Sequence, residues 1–313
     1  MKIGILGAGF GAYHASIYSK LDTVSGIKVF GRNKEKLDKL KDELKIDITD
    51  SINDILNDKD IDLVDVCLPT SLHKEHVIEA LKRGKHVFCE TPVALSIEDG
   101  IAMKKAEEQH CRRVFVNQFV KHEYPYSYIY ETMQSTTLGE LKALHIRRKT
   151  PPLWGDLSLD KITTSLMIHE LDIITWLFGM PYDISAAGFD CNKGESHVTA
   201  LLSYKNSLVS VEASSMMPQY HPFTVSYEAV FSKGTIEYYE HGYADRCERS
   251  LKLFTDNKCE ELPIPDSNCY EDTIKHVINC CKENKPTIIG LDSAISSLEL
   301  ALKIKNMIMH KAE

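Results

Sequence analysis

The spacing of apolar and polar positions changes character about two fifths of the way along the chain. In the first part, short apolar runs alternate with segments of helical period. Met1–Leu6 reads as a buried strand and Ile27–Phe30 as a second. Ile61–Leu68 is a third, closed by Pro69, Lys85–Cys89 a fourth and Arg113–Val116 a fifth. Between them lie a polar helix over Lys34–Leu44, a short helix near Ser51–Leu56, and a helix over His73–Arg83 that stops at Gly84. Ser96 opens another, with Asp99 in the capping-box position. Strands alternating with helices predict a parallel, doubly wound sheet.

Beyond about residue 140 the strands come in runs. Leu141–Arg147, His197–Tyr204, Leu208–Ala213, Phe223–Phe231 and Thr235–Tyr239 are candidates, punctuated by Lys205-Asn206 and Lys233-Gly234. Leu166–Phe178, ended by Gly179 and Pro181, is a helix, as are Tyr270–Glu283 and Leu291–Met309. The pattern predicts an α/β domain over residues 1–121. An α+β domain over 122–313, built on a largely antiparallel open sheet, follows it. Its last helix, 291–309, is a candidate to pack back on the first domain.

The first strand runs directly into Gly7-Ala8-Gly9-Phe10-Gly11-Ala12, which opens a helix. Strand, glycine turn and helix N-terminus together cradle a pyrophosphate in dinucleotide-binding folds. Gly7 permits the turn, Gly9 lets phosphates approach the backbone, and Ala12 in place of a third glycine keeps helix and strand close. The free N–H groups and the dipole of the helix start then face the anion. NAD-specific sites carry an acid about 20 residues beyond the glycines. Here that place holds Gly31-Arg32-Asn33. A guanidinium grips a 2′-phosphate bidentately, so NADP(H) is the expected cofactor. The alternative is that Arg32 only stacks on the adenine and NAD(H) binds as well. Pro69, Thr70 and His73 follow the third strand, where such folds bind ligands. Thr70 and Ser71 are candidates to cap the next helix or to reach the cofactor.

Composition narrows the partners. The 313 residues carry 37 Lys and Arg against 45 Asp and Glu, a formal charge of −8, which argues against nucleic acid. No apolar run approaches the roughly 18 residues of a membrane span, and no basic-then-apolar leader precedes the first strand. The nine cysteines form no CxxC pair, and their odd number argues against a full disulfide framework. A cytoplasmic protein with reduced thiols and no metal site of ordinary ligand spacing is expected.

Four motifs in order resemble the glucose–fructose oxidoreductase/inositol dehydrogenase (Gfo/Idh/MocA) family. They are Ile3-Gly4-Ile5-Leu6-Gly7-Ala8-Gly9, Pro69-Thr70-Ser71-Leu72-His73, the strand Gly84–Cys89 leading into Glu90-Thr91-Pro92, and His169-Glu170-Leu171-Asp172. The resemblance spans nearly the whole chain. It implies a Rossmann domain, then a substrate domain whose open sheet builds a homodimer or homotetramer. It also implies hydride transfer between a nicotinamide and a hydroxyl or keto group of a sugar, polyol or related small molecule. Two positions depart from the family pattern. Thr91 stands where members usually carry a lysine, and Ser165 where they tend to carry an aspartate.

The resemblance places Phe10, Gly11, Ala12, Glu90 and Thr91 among the cofactor-side residues, and His169 with Thr91 at the chemistry. Ser165, His169, Asp172 and Trp176 recur at helical spacing on one face. An imidazole near its ordinary pKa of about 6.5 suits proton transfer in either direction. Lys121 and Trp154 are further substrate-side candidates, and Lys121, just after the fifth strand, is a candidate to replace the missing lysine in part. A second reading stays open: a non-catalytic dinucleotide-binding regulator, motivated by the substitutions at Thr91 and Ser165.

Overall fold

The computed structural model describes residues 1–191 and 194–312. They divide into two compact units. One comprises Met1–Phe119 with Asn268–Ile295, the other Val120–Ser267 with the chain from Ser296 onward.

In the first unit, six parallel strands form a sheet of order β3-β2-β1-β4-β5-β6. They are β1 (Lys2–Leu6), β2 (Gly26–Phe30), β3 (Asp47–Thr49), β4 (Ile61–Val66), β5 (His86–Cys89) and β6 (Val114–Val116). Helices α1 (Gly11–Tyr18), α2 (Lys34–Leu44), α3 (Ile52–Leu56), α4 (His73–Lys82) and α5 (Ile97–His110) connect them. This is a Rossmann sheet, with its direction of winding reversed between β1 and β4. Local chemistry starts the helices as the sequence implies. Asn33 accepts from the Lys36 amide at 3.0 Å to cap α2, and Ser96 accepts from the Asp99 amide at 3.2 Å to cap α5. Thr70 and Ser71 do not cap α4. They form a 3₁₀ turn, Thr70–Leu72, and α4 starts from Leu72 without a side-chain cap. Strand β3 escapes the sequence reading because three residues are too few for an alternation to show.

The second unit carries an eight-stranded sheet of order β14-β13-β12-β11-β7-β10-β9-β8. Its strands are β7 (Leu141–Lys149), β8 (Asp183–Cys191), β9 (Glu195–Tyr204), β10 (Ser207–Ser214), β11 (Phe223–Phe231), β12 (Gly234–Gly242), β13 (Cys247–Thr255) and β14 (Lys258–Glu261). Only the β7–β10 pairing is parallel. Along β7, Leu144, Ile146 and Arg148 are buried, while His145 and Arg147 are exposed on the opposite face. Leu201, Leu208 and Tyr239 are likewise exposed. Helices α6 (Tyr124–Ser135), α7 (Ile162–Ser165) and α8 (Ile168–Phe178) belong to this unit. The run Tyr124-Pro125-Tyr126-Ser127-Tyr128-Ile129-Tyr130 has the composition of a strand, yet it starts α6, with Pro125 in the first turn where no amide is needed.

Helix α9 (Cys269–Glu283), which the sequence grouped with the second domain, packs in the first unit's core. Asn268 caps it by accepting from the amides of Tyr270 and Glu271. Its buried Ile274, Val277 and Ile278 join Ile3, Ile5, Val29 and Phe115 in one apolar cluster. The last helix, α10 (Leu291–Ala312), begins in the first unit and continues in the second. Among the described residues, no helix is long and apolar enough to cross a membrane.

If α9 is integral to the Rossmann core, Ile274→Ala should cost about 2–5 kcal/mol through the cavity it leaves. Urea unfolding of the full chain measures this. A loss under about 0.5 kcal/mol, the ordinary range for a surface position, would contradict it.

Candidate functional site

The sequence-selected residues of the first unit gather where β1, β2, β4 and β5 end. After Leu6 the chain turns at Gly7, whose φ of +117° suits glycine, and whose amide donates to the Phe30 carbonyl at 3.0 Å. A β-carbon on Gly7 would lie 2.5 Å from the Cys67 carbonyl oxygen. One on Gly11 would lie 2.7 Å from Ile5 Cγ2 and 3.3 Å from Cys67 Cβ. Gly11 is therefore a point of close approach between helix and strand, and Ala12, half-buried beside it, packs against the same core. Gly9 differs: nothing lies within 4 Å of its missing β-carbon. The turn is thus tight behind and open in front, a cradle that fits a phosphate group against backbone amides.

Phe10 begins α1 without a capping side chain and is 43% exposed, its ring 5.0 Å from His14 and 5.4 Å from Tyr270. Arg32 is exposed just beyond β2. Pro69 and Thr70 follow β4, and Thr91 follows β5 and precedes a cis bond to Pro92. His73 is buried. Its ring nitrogens face the carbonyls of Leu68 at 2.7 Å and Val93 at 3.3 Å, tying together the loops after β4 and β5. That makes His73 a brace for the ligand-binding edge.

Beneath the turn lies a charged cluster that the sequence reading passed over. His14 Nδ1 is 2.8 Å from Asp65 Oδ2, and Nε2 is 3.3 Å from Glu90 Oε1. Asn117 donates to Glu90 at 2.8 Å, and the Cys67 thiol donates to Asp65 at 3.3 Å. His14 and Asp65 are fully buried. Burial disfavours the imidazolium, but the Asp65 and Glu90 carboxylates outweigh it and raise the His14 pKa. Burial pushes Glu90 up to about 7, against the pull of His14 and Asn117. It also holds the Cys67 thiol protonated, well above 9.0. A signal was available in Asp65, a carboxylate inside the apolar run Leu63–Val66. Ligand atoms of His14, Cys67 and Glu90 lie within 4.8 Å of one another. The imidazole, however, already faces a carboxylate on each side.

The second unit assembles the other candidates. Ser165 ends α7 and is exposed, and the chain breaks at Leu166 (φ −117°, ψ −57°) before α8 begins. The expected single helix over Leu166–Phe178 starts at Ile168, so Ser165 does not share a continuous helical face with His169. His169, Asp172 and Trp176 do. Trp176 stacks on Tyr130, centroids 4.1 Å apart at 10°. Arg148 of β7 is paired with the fully buried Glu170 at 2.7 Å. Burial first, and the Arg148 cation second, hold His169 well below 6.5. The expectation of an unperturbed imidazole is thereby corrected: His169 is neutral near pH 7. Lys121 is 1% exposed, its ammonium 6.0 Å from the Trp176 ring centroid and facing Asp172. Trp154 is 52% exposed and meets Phe223 edge-on at 5.0 Å.

Residues 1–118 match the oxidoreductase family with an NAD-binding Rossmann fold, and residues 126–237 match the GFO/IDH/MocA C-terminal domain. The chain is 29% identical over 187 residues to an inositol 2-dehydrogenase of Serratia proteamaculans, covering 58% of this chain and 56% of that one. The match thus spans little more than half the length of that relative. An oxidoreductase of Agrobacterium radiobacter, solved with NAD⁺, L-tartaric acid and magnesium, superposes with a TM-score of 0.87. It is 18% identical, over 99% of this chain and 97% of that one. The biliverdin reductase of Synechocystis, solved with biliverdin and NADP⁺, superposes at 0.80 with 17% identity over 98% and 99%. At these identities the superpositions establish the fold.

The His14–Glu90 cluster generates a pH prediction. The folded state holds protons that the unfolded chain releases from Glu90 above about 4.5 and from His14 above about 6.5. Stability from this cluster is therefore present at low pH and lost as pH rises through the folded values. Melting temperature between about pH 5 and 8 should fall more steeply in the native protein than in His14→Gln/Glu90→Gln. Parallel slopes in the two proteins would contradict the coupling.

Proposed function

The chain belongs to the GFO/IDH/MocA family of oxidoreductases, and on that premise we propose that it transfers a hydride between NADP(H) and a hydroxyl or keto group of a sugar, polyol or related small molecule. The observation that carries the reading is the glycine turn, closed against Cys67 and Ile5 behind and open at Gly9 in front. Gly7, Gly9, Phe10, Gly11 and Ala12 hold the pyrophosphate, and Arg32 holds the 2′-phosphate where no carboxylate stands to repel it. Pro69, Thr70, Glu90 and Thr91 line the nicotinamide side, with His73 bracing the loops they sit on. When bound, the nicotinamide gives or takes the hydride at the carbinol or carbonyl carbon.

In the second unit, His169 is the group that hydrogen-bonds the reacting oxygen. His169 acts as a neutral imidazole, because burial and Arg148 keep it uncharged. The exposed sheet face bearing His145, Arg147, Leu201, Leu208 and Tyr239 pairs with a second copy, giving a homodimer or homotetramer. The protein works in the cytoplasm. A non-catalytic dinucleotide-binding regulator is the second reading, favoured by the threonine at position 91 and by Ser165 standing outside the helix of His169.

Fluorescence titration with NADPH and NADH in parallel tests the cofactor assignment. NADPH should bind about tenfold more tightly, and Arg32→Ala should bring the two affinities together. Equal affinities in the native protein would remove the role of Arg32. Binding of neither would overturn the oxidoreductase reading.

A further inference from the structure

Lys121 is one of the largest fully buried side chains of the molecule, and a lysine in such a place calls for a reason. Burying an ammonium is costly unless opposite charge and polar groups compensate it, and a methionine would fill the same volume without that cost. Its surroundings belong to one face of α8. The Asp172 carboxylate, itself 1% exposed, faces the ammonium. The Trp176 ring lies 6.0 Å from it, one turn further along, and is fixed in turn by its stack on Tyr130. His169 lies one turn on the other side of Asp172. Imidazole and carboxylate thus share one face of α8, and the ammonium meets that face at Asp172.

The neighbouring charges separate the roles of the two basic groups. Arg148, paired to Glu170, presents positive charge to His169 and not to Lys121. Burial and Arg148 leave His169 a neutral imidazole near neutral pH, with one N–H for a hydrogen bond but no imidazolium proton to give up. Lys121, facing Asp172, retains one: burial lowers its pKa from 10.5 to about 8, with Asp172 opposing the fall. An amine near that value can both give and recover a proton at physiological pH.

Resting on the oxidoreductase reading, we propose that the Lys121 ammonium, held by Asp172, delivers and takes back the proton of the reacting oxygen, while His169 holds that oxygen. In reduction, a hydride forms the new C–H bond as the carbonyl π bond breaks. The oxygen takes a proton from Lys121, directly or through one water, leaving a neutral amine. The carbonyl compound is reduced and the dihydronicotinamide oxidised. In oxidation the hydroxyl proton passes to the Lys121 amine as the hydride leaves carbon. Solvent restores the protonation state after each turnover.

The test uses the full chain with NADP⁺ or NADPH and a panel of myo-inositol, glucose and UDP-N-acetylglucosamine. Alongside it, the emission of Trp176 is titrated in a Trp154→Phe background. Trp176 emission should change with a midpoint near pH 8, and the change should vanish in Lys121→Met. With the substrate the native protein turns over, Lys121→Met should lower kcat at least about 100-fold with nucleotide affinity unchanged. Asp172→Asn, which keeps the lysine, should move the basic limb of the reduction profile to lower pH. Turnover by Lys121→Met within about twofold of native, with the same pH profile, overturns the proposal and leaves the oxidoreductase reading standing. Nucleotide binding without turnover of any probe by the native protein favours the regulator and overturns both.

Discussion

Much of the first unit hangs on how closely the chain after β1 passes the end of β4. Gly7 and Gly11 leave no room for a side chain, because the Cys67 backbone and Ile5 occupy that space. The same contact brings α1 down onto the sheet, so His14 reaches Asp65 and Glu90 from the helix side. The charged cluster is therefore a consequence of the glycine turn. It links α1 to the loop that carries Thr91. Of the three glycines of the turn, Gly9 is the one with open space at its missing β-carbon.

The second unit solves a different electrostatic problem. A strand of the central sheet brings Arg148 into the interior, where Glu170 neutralises it. Beside that pair, His169 is kept neutral by its burial first and by the Arg148 cation second. Asp172, one turn further, faces a buried ammonium on the chain that leaves β6. Two buried acids of α8, Glu170 and Asp172, thus each meet a cation brought in by another part of the chain. The result is two basic groups with different protonation at the same pH, the condition under which one can hold an oxygen and the other move its proton.

Apart from β3, the sheet of the first unit was legible in the sequence because parallel strands, buried on both faces, are continuous apolar runs bounded by glycine, proline and caps. Family and fold class were legible for the same reason, with the motifs in order. Strands β8, β13 and β14 were not, since their exposed stretches lack the alternation that marks a half-buried strand. Helix α6 hid behind four tyrosines and a proline. The membership of α9 is a matter of tertiary packing alone, which no local pattern encodes. Of the candidate site, the glycines could be read directly, but not which of them makes the close contact. Ser165 was assigned to a helix that a break at Leu166 denies it. The environment of His169 was out of reach altogether, because it depends on Arg148, distant in sequence.

On the proposed function, the open space at Gly9 serves the dinucleotide and nothing in the protein itself. NADPH binding and thermal melting of Gly9→Ala address it directly. The new methyl group meets no protein atom within 4 Å, so melting should match the native protein. It stands where the phosphates approach, so NADPH affinity should fall about tenfold or more. Native affinity in a natively stable Gly9→Ala protein would contradict the claim.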